Sequence, residues 1–178
     1  MRSIVQKIVV GVMLTYPLPT FSGQETEPKG FLGIHWGESV QSAKSKLLNR
    51  AGVMMDTIMV DGTHQRLLVT MGEFLDEPVD TWNLEFINNK FFWVKIILDS
   101  ENFSEIESIL RSRYGDPSVS STNRLEWEFP DAAVRFVANT PPGHTGIVLW
   151  NKRLYQMRFQ QSENQDKERR FNKLRELD

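Results

Sequence analysis

Three histidines, His35, His64 and His144, are the side chains in this sequence best suited to passing a proton or holding a metal near neutral pH. Each stands alone beside a turn or a glycine. None has a second histidine four residues away or a glutamate at ligand spacing, so the helical zinc-hydrolase pattern is missing. Glu126 and Glu128 are two residues apart, as paired acid–base carboxylates on one strand face would be. Their alternation with Leu125, Trp127 and Phe129 assigns them to the solvated side of a strand instead. Ser118, Ser120 and Ser121 read as loop polarity, since no Gly-x-Ser-x-Gly elbow surrounds a serine. No glycine-rich phosphate loop occurs. The chain contains no cysteine, which removes disulfides, thiol chemistry and a lipid attachment site. The sequence therefore supports a non-enzymatic protein: no catalytic residue, no metal site and no cofactor is assigned.

The five tryptophans, Trp36, Trp82, Trp93, Trp127 and Trp150, carry more information. Most belong to a core, because burying one removes about 150–250 Å² from water. In the run from Phe91 to Leu98, Val94, Ile96 and Leu98 define one face and place Phe91, Trp93 and Lys95 on the other. Near the end of the fold, burying Ile147 and Leu149 turns Trp150 the opposite way. If these faces adjoin, Phe91, Trp93, Lys95, Arg135 and Trp150 form an aromatic patch edged by cations, the composition of a recognition surface. The competing expectation is that the tail or the first helix covers it.

The elements that would carry this patch are legible from spacing. Phe91–Leu98 is dense in aromatic and β-branched residues and predicts a strand. A helix follows, with Phe103, Ile106, Ile109, Leu110 and Tyr114 on one stripe, a capping box from Ser104 and Glu107, and Gly115 and Pro117 as its stop. An earlier helix is predicted from Ser39 as N-cap through Val40, Ala43, Leu47, Leu48 and Ala51 to Gly52. Two strands flank Asp61-Gly62, a hairpin signal. Gly72–Val79 reads as a loop. Trp82, Leu84 and Phe86 then alternate with Asn83 and Glu85, and Asn88-Asn89 turns that strand into the next. Beyond the second helix, Leu125, Trp127 and Phe129 alternate with Glu126 and Glu128, Pro130-Asp131 makes a turn, Val134, Phe136 and Ala138 continue the alternation, and Thr145–Asn151 is the last strand. A helix followed by antiparallel strands, given twice, predicts an α+β fold. It would be two repeats, 31–98 and 99–151, forming one sheet with the helices on one face.

The ends have separate readings. Arg2 and Lys7 precede the apolar run Ile8–Leu14, and Tyr16-Pro17-Leu18-Pro19 breaks it, so residues 1–22 read as a signal peptide cleaved after Ser22. Residues 23–30 are expected to be a flexible lead-in, 31–155 the domain and 156–178 a polar helical tail, with Phe171, Leu174 and Leu177 as its apolar edge. The formal charge of −2 becomes −4 when Arg2 and Lys7 are removed, a mildly acidic protein with no footprint for nucleic acid. Hydrophobic content of 40% excludes a wholly disordered chain.

Trp36-Gly37-Glu38-Ser39 entering a helix, Tyr114-Gly115-Asp116-Pro117 closing another, and Leu125–Phe129 beyond it resemble small exported bacterial domains. These have the duplicated helix-plus-sheet fold of the β-lactamase inhibitor protein and of the small outer-membrane assembly lipoproteins. The resemblance covers residues 31–151 and implies a fold and a compartment. The disulfides of the former and the lipidated cysteine of the latter are impossible here, so no functional residue is carried over. The expectation is a periplasmic or secreted module that binds a protein or peptide of the cell envelope, without a membrane span after cleavage. The alternatives are a carrier holding a small apolar ligand between helices and sheet, and a hydrolase.

Overall fold

A computed structural model describes residues 26–48, 54–70, 72–75, 77–98, 103–138 and 143–175. The segment read as a signal peptide, residues 1–22, lies outside them, as do Gly52 and Leu177. The lead-in expected to be flexible is tied down from Glu27 onward. Glu27 accepts a hydrogen bond from the Asp131 backbone N–H at 2.6 Å, and the Pro28 carbonyl accepts one from the Trp36 indole at 2.7 Å. Strands β1 (Gly30–Phe31) and β2 (Ile34–His35) form a two-stranded ribbon around Leu32-Gly33. Gly30 has φ +152°, and a Cβ there would stand 1.9 Å from the Ile34 carbonyl oxygen, so only glycine lets the ribbon close.

Helix α1 (Val40–Leu48) starts where Ser39 predicts, with the Ser42 N–H donating to Ser39 Oγ at 3.2 Å. Val40, Ala43 and Leu47 are its buried stripe, whereas Leu48 is 68% exposed: at eight residues from Val40 it has rotated past the contact. Strands β3 (Met54–Met59), β4 (His64–Thr70), β5 (Glu73–Phe74), β6 (Glu77–Ile87) and β7 (Lys90–Leu98) follow. The stretch expected as a loop thus contains β5 and the start of β6. Asn88 and Asn89, at φ 49° and 59°, make the two-residue turn between β6 and β7, a conformation asparagine tolerates.

Helix α2 (Phe103–Tyr114) ends as predicted, with Gly115 at φ +77° and its N–H donating to the Arg111 carbonyl. Its start differs. Phe103 is already helical, so Ser104 lies inside the first turn and the expected capping box does not form. Glu107 instead pairs with Arg111 one turn on at 2.8 Å. Strands β8 (Val119–Ser121), β9 (Arg124–Glu128), β10 (Ala132–Ala138) and β11 (Thr145–Asn151) complete the sheet. Ser120 and Ser121, expected in a loop, are therefore in an edge strand. Helix α3 (Lys152–Arg175) leaves β11 directly, earlier than the expected tail.

All strands of the large sheet pair antiparallel, in the order β3-β4-β6-β7-β11-β10-β9-β8, with β5 on the side of β6. Two meanders thus meet at β7 and β11. Helices α1 and α2 cover one face. Val40, Ala43 and Leu47 of α1 and Ile106, Leu110 and Tyr114 of α2 join Leu67, Leu84, Val94, Ile96, Phe136 and Ile147 in one cluster of buried side chains. At about 25 cal/mol per Å² of apolar surface, each large side chain here contributes about 1.5–3 kcal/mol. Among the described residues the opposite face carries only α3, at one end, and it is there that the candidate site lies.

Candidate functional site

The cross-strand register fixes what stands beside what on the face opposite α1 and α2. One row reads Arg66, Glu85, Trp93, Trp150 and Ala133. The next reads Leu68, Asn83, Lys95, Val148 and Arg135, with Glu126 beyond. Four of the five residues expected to share a patch, Trp93, Lys95, Arg135 and Trp150, do share this face. Trp93 and Trp150 are direct cross-strand partners, both half-buried. The Arg135 guanidinium lies 5.3 Å from the centre of the Trp150 ring, a cation–π contact.

Phe91 does not belong to the patch. It is fully buried on the helix side, stacked on Trp36 at 5.0 Å and tilted against Phe86 at 5.5 Å. The reason is an irregularity in the pairing. Glu85 faces Trp93 but Phe86 faces Phe91, so Phe92 is an extra residue without a partner on β6. A bulge of this kind shifts the alternation by one. Phe92 consequently sits with Trp93's side of the sheet, 6.2 Å from the His64 ring and 6.3 Å from Tyr155 of α3.

Two carboxylates on this face are buried, against the expectation that both would be solvated or half-solvated. Glu85 is 6% and Glu126 7% exposed. Each is held by two basic side chains: both from the neighbouring strand β4 for Glu85, and one from β10 and one from its own strand for Glu126. Glu85 receives His64 Nε2 at 3.0 Å on one oxygen and Arg66 at 2.8 and 3.2 Å on the other. Glu126 receives Arg124 at 2.6 Å and Arg135 Nε. Burial works to raise the Glu126 carboxyl, but the hydrogen bonds from Arg124 and Arg135 outweigh it and hold it below the usual carboxylate range. The strand alternation marks these positions as facing away from the core. Only the arginines opposite them allow them to be buried.

Helix α3 walls one end of the face. Tyr155 packs on Trp150 at 6.2 Å and on Phe92, and Phe159 packs edge-on against Tyr155 at 5.1 Å. Further along, Arg158, Phe159, Gln161 and Ser162 meet the β3–β4 turn and Ile87 around a cleft of about 270 Å³. Asp61 organises that turn by accepting the N–H groups of Thr63 and His64, each at 2.8 Å. Burial acts to raise its carboxyl, but these bonds prevail and hold it low. His64 thus has a carboxylate partner that its sequence neighbours gave no sign of. Arg66 takes the other oxygen of Glu85, so the group closes on itself and ties β4 to β6. Among the described residues no three His, Asp or Glu side chains are grouped to hold a metal ion.

A second key residue missed in the sequence is Glu38. Its carboxylate accepts the His35 N–H at 2.9 Å, Ser42 Oγ at 2.7 Å and Lys46 Nζ at 2.6 Å, locking the ribbon to α1. Burial opposes ionisation there, yet the bonds from Lys46, His35 and Ser42 bring its pKa down to about 2. The WGES spacing was the available signal, since it places an acid just before a serine N-cap.

An antiparallel α+β domain with one helix-covered face and one face left open beside a crossing helix is the class that these features define. Comparison with protein-family models, with curated proteins and with solved structures returns no match.

Proposed function

We propose that this protein is an exported, periplasmic or secreted, non-enzymatic module that holds a protein or peptide of the cell envelope on the open sheet face. The observation that carries this reading is the pair Trp93 and Trp150, side by side on β7 and β11 and only half-buried, with Arg135 stacked on one ring. Large aromatic rings flanked by arginine, at the centre of a surface, are the usual anchors of protein recognition. Tyr155 packs against Trp150, and both Trp93 and Trp150 keep part of their surface accessible.

The carrier alternative draws less support. The space between α1, α2 and the sheet is filled by wholly buried side chains, including Leu47, Leu84, Ile96, Ile106 and Phe136. For the architecture, we favour two repeats of a helix followed by a four-stranded meander. The strand order β3-β4-β6-β7 followed by β11-β10-β9-β8 is what two such units joined edge to edge would give.

The test is affinity capture from envelope extract with immobilised wild-type protein, the Trp93→Ala/Trp150→Ala variant, and Arg113→Ala on α2 as a control. Retained cooperative unfolding with capture lost in the tryptophan variant alone supports the reading. Unchanged capture refutes it, and collapse of the fold would assign both rings to the core.

A further inference from the structure

We infer that the segment received on this face is acidic and extended, with a carboxylate placed over Lys95. This deepens the binding-module reading and rests on it.

The argument starts from the charges. Both buried carboxylates of the face are saturated: Glu85 by His64 and Arg66, and Glu126 by Arg124 and Arg135. Lys95 stands between them on β7, half-buried, and among the described residues its side chain has no hydrogen-bonded or ion-paired partner. Asp56 lies in the same row but on edge strand β3, three strands away, or about 14 Å at the usual strand spacing. A half-buried lysine flanked by Asn83 and Val148, with every nearby acid among the described residues already engaged, carries a charge awaiting an external partner. The chain as a whole is negative, so this cationic strip runs against its average.

Shape then selects among acidic partners. Helix α3 crosses the sheet from β11 past Phe92 to the β3–β4 turn. A helix with its side chains is about 10 Å across, so α3 stands as a wall along the row of Trp93 and Trp150. A planar anionic bilayer meets that wall before it reaches Lys95, whereas a single extended chain fits beside it. The floor from Leu68 to Arg135 spans five adjacent strands, about 19 Å, which matches about six extended residues. Trp93 and Trp150 would pack against its apolar side chains.

The experiment uses the full chain with ¹⁵N-labelled tryptophan, reading the indole N–H signals. Trp36, Trp82 and Trp127 serve as internal references. Three probes are compared: a peptide alternating Glu and Tyr, the same peptide with Gln for Glu, and phosphatidylglycerol vesicles. The proposal expects the Glu peptide to move the Trp93 and Trp150 signals and to bind about tenfold more tightly than the Gln peptide, the equivalent of one well-placed charge pair. Its affinity should fall with added salt, and Lys95→Gln should erase the advantage while leaving the reference signals in place. Equal binding of both peptides at Trp93 and Trp150 overturns the acidic specification but leaves the binding face standing. Response to vesicles alone assigns the strip to a lipid surface and overturns the proposal. No response of either tryptophan to any probe overturns both the proposal and the reading beneath it.

Discussion

Replacing Glu85 by alanine tests whether the polar group under α3 is structural, and its magnitude can be worked from exposure. The His64 and Glu85 side chains are 4% and 8% exposed, so neither regains water when the other is lost. A hydrogen bond to a carboxylate in that setting is worth about 1.5–3 kcal/mol. The Arg66 side chain is 37% exposed and rehydrates readily, which limits its pair with Glu85 to about 0.5–1 kcal/mol despite its full charge. Glu85→Ala should therefore cost about 2–4 kcal/mol, a fall of about 1–2 M in urea midpoint for a slope near 2 kcal/mol per M. Double-mutant cycles with His64→Ala and Arg66→Ala, followed by tryptophan fluorescence in urea, separate the two couplings. The His64 coupling should be about three times the Arg66 coupling, given the magnitudes above. A larger Arg66 coupling, or a total loss under about 0.5 kcal/mol, would refute the claim that exposure rather than formal charge decides this network.

Thr57→Val should stabilise the fold by about 1 kcal/mol in the same urea assay, because the Thr57 hydroxyl is buried without a hydrogen-bond partner; a net loss would mean that the hydroxyl is satisfied in solution. Glu38 has a folded pKa of about 2 against an ordinary 4.5, so its contribution is intact above pH 4.5 and drains away as pH falls toward 2. Unfolding at pH 6 and pH 3 should differ by about 1 kcal/mol less in Glu38→Gln than in wild type, after allowing for solvent screening of the partly exposed Lys46; an identical pH dependence contradicts this. Tyr155→Ala removes the ring that seats α3 on Trp150 and Phe92, so amide exchange in residues 152–162 should quicken about tenfold while the thermal midpoint barely moves. A fall of more than about 10 °C would make α3 part of the cooperative core.

Local sterics made much of this protein readable without coordinates. The left-handed Gly115 that stops α2, the Ser39 cap and the two asparagines between β6 and β7 answer to the backbone of a few residues, which the sequence specifies directly. Period-two alternation likewise placed Trp93, Lys95, Arg135 and Trp150 on one side, because side chains of a strand cannot do otherwise. Alternation says nothing about which strand lies alongside, and three results depended on that. The unpaired Phe92 exists only in the pairing of β6 with β7, and it moved Phe91 into the core. Glu85 and Glu126 are buried because Arg66 and Arg135, 19 and 9 residues distant, bring cations to them. The wall made by α3 follows from where β11 happens to end. These are consequences of contact between segments far apart in the chain, so only the folded molecule could decide them.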